Sequence, residues 1–238
     1  MTCYFLTLMY NFYINMKYTK ILLLLLLPIV TCGQVVSYHI KVVIGPNVKA
    51  KYAYLAMPKN LSSTQDTGKF LIVPVKDGTA EFKGKVDLGD DILKTPYIFV
   101  DDRANITMPE TISKIRERIW SVKVKNIVLE DIALEIKNLD SVKSARITSG
   151  GKLTKEMEEY YQLLNDGKEI SFFKKYPNSL MSLLQLHYVV MMYELPLRPR
   201  LEAQGRDPRV YYQLLSDRLR STRQGVELKK RMDRLFAK

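Results

Sequence analysis

The sequence predicts an α+β fold with its two kinds of structure in separate segments, an N-terminal antiparallel β-sandwich or open barrel followed by a C-terminal helical segment. Three observations lead there. Short β-rich runs closed by Gly, Pro and Asn fill the chain from Val35 to about Thr148. After Gly150-Gly151 the apolar residues recur at spacings of three and four instead of two. Strands and helices do not alternate along the chain in the manner that builds a parallel sheet.

Taken in order, Tyr38–Ile44 is a β-rich run closed by Gly45-Pro46-Asn47, and Lys51–Met57 is closed by Pro58 and a polar Ser/Thr loop. Phe70–Val73 leads through Pro74-Val75 to Lys76-Asp77-Gly78, a hairpin turn in which glycine supplies positive φ, and Thr79–Val86 answers as the partner strand. Tyr97–Val100 is another short run. The stretch from Asp101 to Lys114 is open between a loop and a short helical turn. Period-two alternation marks Ile119–Val124 and Ile132–Ile136 as strands with one buried face, and Ser141–Thr148 closes the set. Beyond the glycine pair, Lys155–Leu164 reads as a helix stopped by Asn165-Asp166-Gly167. Ser179 caps an apolar helix over Leu180–Leu195, Asp207 with Pro208 opens another that carries Val210 to Leu219, and a last helix runs from about Gly225 to Phe236.

Ahead of this lies an export leader. The run Ile21–Val30 is about ten apolar residues, the length of a signal-peptide core and half that of a membrane span. Lys17 and Lys20 stand directly before it, so Met16 is read as the start, residues 16–33 as the signal peptide and residues 1–15 as upstream sequence. Cleavage after Gly33 would leave Gln34 first. The alternative is lipidation of Cys32, since Ile29-Val30-Thr31-Cys32 loosely follows a lipoprotein signal. Export predicts a place in the periplasm or outer envelope of a Gram-negative-type bacterium, with membrane contact only through such a lipid or an uncleaved leader.

Composition excludes several chemistries. The two cysteines, Cys3 and Cys32, both fall in or beside the leader, so residues 34–238 hold no disulfide, thiol nucleophile or thiolate metal site. With the leader's two lysines set aside, 35 basic residues face 25 acidic ones. The stretch from Arg198 to Lys238 holds twelve Lys or Arg against five Asp or Glu, a surplus that fits an acidic partner or a solvated helix face. Export argues against nucleic acid. Within this stretch Arg218, Arg220 and Arg223 are the candidate partner-docking face.

With both segments laid out, the chain resembles the part of exported TlpA- and ResA-type thiol-disulfide oxidoreductases that precedes their thioredoxin-like domain, a β-rich module of unknown function and a helical linker. The residues carrying the likeness are Val128–Ile136, Leu139–Val142, the Gly150-Gly151 boundary and Phe173–Ser179, with Leu214-Leu215-Ser216 and Ser221–Gly225 as closing helices. The chain ends where the thioredoxin domain would begin and holds no Cys-x-x-Cys, so the resemblance implies either a stand-alone form of the non-catalytic part or a truncated gene.

No other constellation points to catalysis. His39 and His187 fall in a strand and an apolar helix, where histidine is usually a hydrogen-bonded structural residue. The pairs Asp90-Asp91, Asp101-Asp102 and Glu130-Asp131 lack the spacing of a calcium loop. Nucleophile-elbow and phosphate-loop motifs are absent from the sequence. Tyr52, Tyr54, Tyr97, Phe99 and Trp120 are either core fillers or a stacking platform for glycan or peptide. The expectation is a non-enzymatic envelope module, residues 34–149 as β-sandwich and 150–238 as helical domain or linker, without cofactor or metal. It would mediate protein contacts or support a partner such as a thioredoxin-like oxidoreductase. The alternative is a glycan- or peptide-binding β-sandwich protein.

Overall fold

Alternation decides the first strand, β1 (Val35–Ile44), where Tyr38, Ile40, Val42 and Ile44 turn inward and the residues between them stay wet or half-buried. The chain is described from a computed structural model that covers residues 34–59 and 68–237. The leader, its start at Met16, Cys3, Cys32 and the Ser/Thr loop after Pro58 lie outside the described residues.

The fold is mixed α+β. Strands β2 (Tyr52–Met57), β3 (Lys69–Pro74), β4 (Thr79–Asp87), β5 (Tyr97–Asp101), β6 (Lys125–Asn126), β7 (Ile132–Ile136) and β8 (Arg146–Gly150) join β1 in two four-stranded sheets, ordered β4-β1-β7-β8 and β3-β2-β5-β6. One buried cluster draws on both sheets: Ile40 and Leu134 come from the first, Leu55 and Ile98 from the second, and all four are fully shielded. The Asp77-Gly78 turn has φ of 49° and 67°, the pair of positive angles that a two-residue hairpin turn needs. It hands the chain from β3 in one sheet to β4 in the other.

Three expectations are corrected here. The sheets are not wholly antiparallel, because β1 pairs in parallel with β7, Ile40 opposite Ile132 and Ile44 opposite Ile136. Side-chain alternation is the same for either strand direction, and the long crossover a parallel pair requires is supplied by all the chain between them. Second, Ile119–Val124 is a series of turns rather than a strand. Trp120 and Val124 are buried at a spacing of four while Ile119 and Val122 stand out in solvent, and Arg118 takes φ of 59°, which breaks extension. Lys125-Asn126 alone continues as β6. Third, helix and strand are not fully segregated: α1 (Met108–Arg116) sits inside the strand-rich segment, capped by Thr107 and opened by Pro109. Likewise Leu139–Ser144 forms a 3₁₀ turn before β8, where the sequence suggests one strand.

The remaining described helices are α2 (Lys152–Asn165), α3 (Glu169–Lys175), α4 (Leu180–Glu194), α5 (Arg198–Ala203), α6 (Pro208–Leu214), α7 (Asp217–Arg220) and α8 (Arg223–Phe236). Ser179, Asp207, Ser216 and Thr222 each accept a backbone N–H at a helix start, so the polar residues of the sequence set the boundaries. The helix expected from Asp207 through Leu219 breaks at Leu215, where Ser216 caps α7 anew. Leu183, Leu186, Val189 and Val190 of α4 are wholly buried, each contributing about 1.5–3 kcal/mol. No described helix is long and apolar enough to cross a membrane.

The described residues from Gln34 onward cluster as one compact unit. Ile92 and Val128, from the strand-rich segment, belong to the same buried cluster as Phe172, Phe173 and Leu186. Polar bonds lock the junction. Glu130 accepts from the Leu153 and Thr154 backbone N–H at 3.1 and 2.7 Å, and the Thr154 hydroxyl donates to it at 2.8 Å while accepting from the Val128 N–H at 3.0 Å. A carboxylate there satisfies otherwise unpaired donors at the start of α2 and meets the positive end of its dipole. Glu130→Ala is therefore expected to lower stability by about 1–2 kcal/mol. Glu130→Gln should lose less, and chemical unfolding of the two variants checks the ranking.

Candidate functional site

The three arginines of the expected docking face are each engaged within the chain. Arg218 donates to the Asn178 carbonyl at 2.6 Å. Arg220 is bonded to Asp217 and to Gln213. Arg223 pairs with Asp90 of the strand-rich segment at 2.6 Å. Arg218 and Arg223 are exposed and reach the Asn178 and Asp90 segments, while Arg220 is half-buried against α6 and its own helix. The aromatic residues do not form a platform either. Tyr54, Phe99 and Trp120 are buried, with Tyr54 stacked on Phe99 at 4.7 Å and Trp120 tilted against it at 4.9 Å, while Tyr52 and Tyr97 are half-buried beside them. Tyr54, Phe99 and Trp120 are core, and Tyr52 and Tyr97 pack partly buried against them.

His39 lies exposed 3.2 Å from Glu81 across the β1–β4 pair. His187 lies on α4, with Arg231 of α8 at 3.4 Å. Of the acidic pairs, Asp90 and Asp91 meet Arg223 and Lys94, Asp101 holds Arg103 at 3.1 Å, and Glu130 caps α2.

What the structure brings together instead is a groove of about 770 Å³ between the end of α2, α3, the end of α4 and α5. Its apolar wall is Leu164, Ile170, Met192 and Leu197, with Ile170 37% and Leu197 41% exposed. Large aliphatic side chains left wet in one concave place are what a partner surface looks like before it is covered. Arg200, Gln204 and Arg206 make the polar rim, and among the described residues Arg200 forms no ion pair.

Beneath the rim lies a buried charge network. Glu169, 4% exposed, takes two bonds from Arg206, Nε to Oε2 at 2.7 Å and Nη2 to Oε1 at 2.8 Å. It also accepts from the Tyr160 hydroxyl and, at 2.9 Å, from the Tyr211 hydroxyl. Every oxygen of a buried carboxylate is thereby satisfied, as the cost of desolvating it demands. Burial first, and then the Glu169 charge, push both tyrosines well above their ordinary pKa, so both remain hydroxyl donors. The network ties α2, α3 and α6 to the loop after α5 and gives the groove a rigid base. Its chemistry is structural: each group is saturated by its neighbours. Sequence reasoning missed it because Arg206 and Tyr211 stand far along the chain from Glu169, and no spacing rule links them. The one available signal was an acidic residue beside the aromatic pair Phe172-Phe173.

No protein-family model, curated protein or solved structure matches the chain.

Proposed function

We propose that the chain is a non-catalytic exported envelope module, a β-sandwich followed by a helical segment, whose helical groove receives an apolar, acidic segment of a partner protein. The partner class is the thioredoxin-like oxidoreductase that the resemblance to TlpA- and ResA-type proteins implies. The observation that carries this reading is the groove itself, with Ile170 and Leu197 exposed beside Arg200, which forms no ion pair among the described residues. An aliphatic side chain of the partner would fill the concave wall, and a carboxylate would meet Arg200 at the rim. The basic surplus of the region from Arg198 onward would speed encounter with an acidic partner.

The test is isothermal titration of the full chain with a purified thioredoxin-like oxidoreductase from the same envelope. Ile170→Glu with Leu197→Glu is expected to weaken binding by about a hundredfold, since truncating or charging a central anchor costs on the order of 2–4 kcal/mol. Both side chains are partly exposed, so the melting temperature should barely move. Equal affinity of the double variant and the parent, or no binding by the parent, would count against the proposal.

A further inference from the structure

The edges of the two sheets are not alike. β4 carries Glu81, Lys83 and Lys85 in solvent, β6 is two residues long, and β8 pairs through a register shift and ends at Gly150 with φ of 61°. Charge, brevity and irregularity of this kind keep an edge from adding another strand. β3 has none of them. Phe70-Leu71-Ile72-Val73 are four apolar residues in a row, and Ile72 is 41% exposed. Among the described residues only β2 pairs with this strand.

The pairing with β2 fixes which backbone groups of β3 face outward. The Val75 N–H donates to the Lys51 carbonyl at 2.8 Å, and Tyr52 stands opposite Pro74, which has no N–H to give. In an antiparallel ladder each residue turns its N–H and C=O to one side and its neighbours turn theirs to the other. Leu71 and Val73 therefore bond β2, while Phe70, Ile72 and Pro74 present their backbone groups to the open edge. Proline at the end of the strand, its missing N–H on the outer side, is what an edge position tolerates. Leu71 and Val73 pack into the cluster shared by the two sheets, and Phe70 packs against Tyr54 and Phe99 on the outer face.

Set antiparallel against a second copy of itself, this edge is self-complementary. Phe70 meets Ile72 of the second copy and Ile72 meets its Phe70, so four N–H···O=C bonds form without calling on Pro74. Leu71 faces its own equivalent across the two-fold axis. Phe70 against Ile72 is an aromatic pair with a β-branched residue, a combination that stabilises sheets. Lys69, the one charged residue of β3, falls opposite Val73, so no like charges meet. We propose that β3 is a dimerisation edge, at which two copies of this chain join their β3-β2-β5-β6 sheets into one sheet of eight strands about a two-fold axis.

Sedimentation equilibrium of the full chain over a concentration series is expected to show a reversible monomer–dimer equilibrium. Ile72→Pro removes an N–H that faces the open edge and leaves the ladder to β2 intact. The dimer loses two of its four bonds, and association should weaken about thirtyfold. Ile72→Lys keeps every backbone bond but sets two ammonium groups diagonally across the axis, and should weaken association about tenfold even if the proline variant fails to fold. Ile119→Lys, which charges another exposed apolar residue far from any strand edge, should leave association unmoved. Oxidation of Leu71→Cys should yield a disulfide between the two introduced cysteines, located by peptide mapping, whereas Phe70→Cys, which faces Ile72 of the second copy, should not. A monomer at every concentration, a dimer indifferent to Ile72→Lys, or equal loss from Ile119→Lys would each overturn the proposal.

Discussion

Glu169→Ala is expected to destabilise the protein by about 3–5 kcal/mol, the cost of leaving a buried charge without its partner. The stranded group is Arg206, whose side chain is only 14% exposed and has no other anion beside it in the network. The hydroxyls of Tyr160 and Tyr211 lose their acceptor at the same moment. Urea unfolding at neutral pH reads the effect directly, and a loss below about 1 kcal/mol would show that the network contributes little beyond packing. Glu169→Gln keeps an acceptor oxygen but not the charge and should fall between the two.

The same network sets an alkaline limit. The folded protein holds Tyr160 and Tyr211 above their ordinary pKa of 10.0 because burial and Glu169 oppose a phenolate. The unfolded chain releases those protons near pH 10 and the folded chain does not, so the stabilising contribution is complete below pH 10 and is lost as pH rises beyond it. Stability measured from pH 8 to pH 11 should therefore decline over the upper part of that range. In Tyr160→Phe with Tyr211→Phe the decline should be shallower, although stability at neutral pH drops through the lost hydrogen bonds. A double variant as steep as the parent would place the alkaline limit elsewhere in the molecule.

Gly150→Ala should cost about 2–5 kcal/mol, from two additive sources. The residue takes φ of 61°, a left-handed conformation that costs an ordinary side chain about 1–2 kcal/mol. A Cβ there would also overlap the Asp131 carbonyl oxygen, which accepts from the Gly151 N–H at 3.0 Å, and relieving that overlap costs about 1–3 kcal/mol. Gly205→Ala is the control: its φ of 67° is similar, but nothing lies near an added Cβ, so only the conformational part applies. Thermal unfolding of both variants separates strain from collision, and equal losses would mean that the junction yields. Because the turn at Gly150 positions the Glu130 cap of α2, movement there should also loosen the bond between the strand-rich and helical segments.

The Gly150-Gly151 boundary was legible in the sequence for a local reason. A glycine pair between a β-rich run and a helical period marks a place where the backbone must turn in a way other residues resist. The helix starts at Ser179 and Asp207 were legible for the same kind of reason, since a capping side chain bonds a backbone group only two or three residues away, whereas the last helix begins two residues ahead of the expected Gly225, capped by Thr222. Strand β7 and the Asp77-Gly78 turn likewise follow from alternation and turn chemistry, but the partner of Thr79–Val86 does not: β4 pairs with β1 in the other sheet and not with β3, because a turn fixes only the two residues that close it. Ile119–Val124 misled because alternation over six residues does not distinguish a strand from successive turns that bury every fourth side chain. The candidate site was less legible than the fold. The arginines that stood out by density proved to be tied to their own chain, and the exposed Ile170 and Leu197 look like any other helix residues in sequence.

By itself, the sequence determined what depends on near neighbours: mixed α+β content, the capped helix starts, the absence of cysteine from residues 34–238 and the basic surplus after Arg198. Tertiary structure alone decided the parallel pairing of β1 with β7, the union of the two segments in one unit, the Glu169–Arg206 network and the helical groove. Each of those joins residues tens of positions apart, and the direction of a strand or the partner of a buried charge is set by which surfaces meet when the chain closes, which no local spacing encodes.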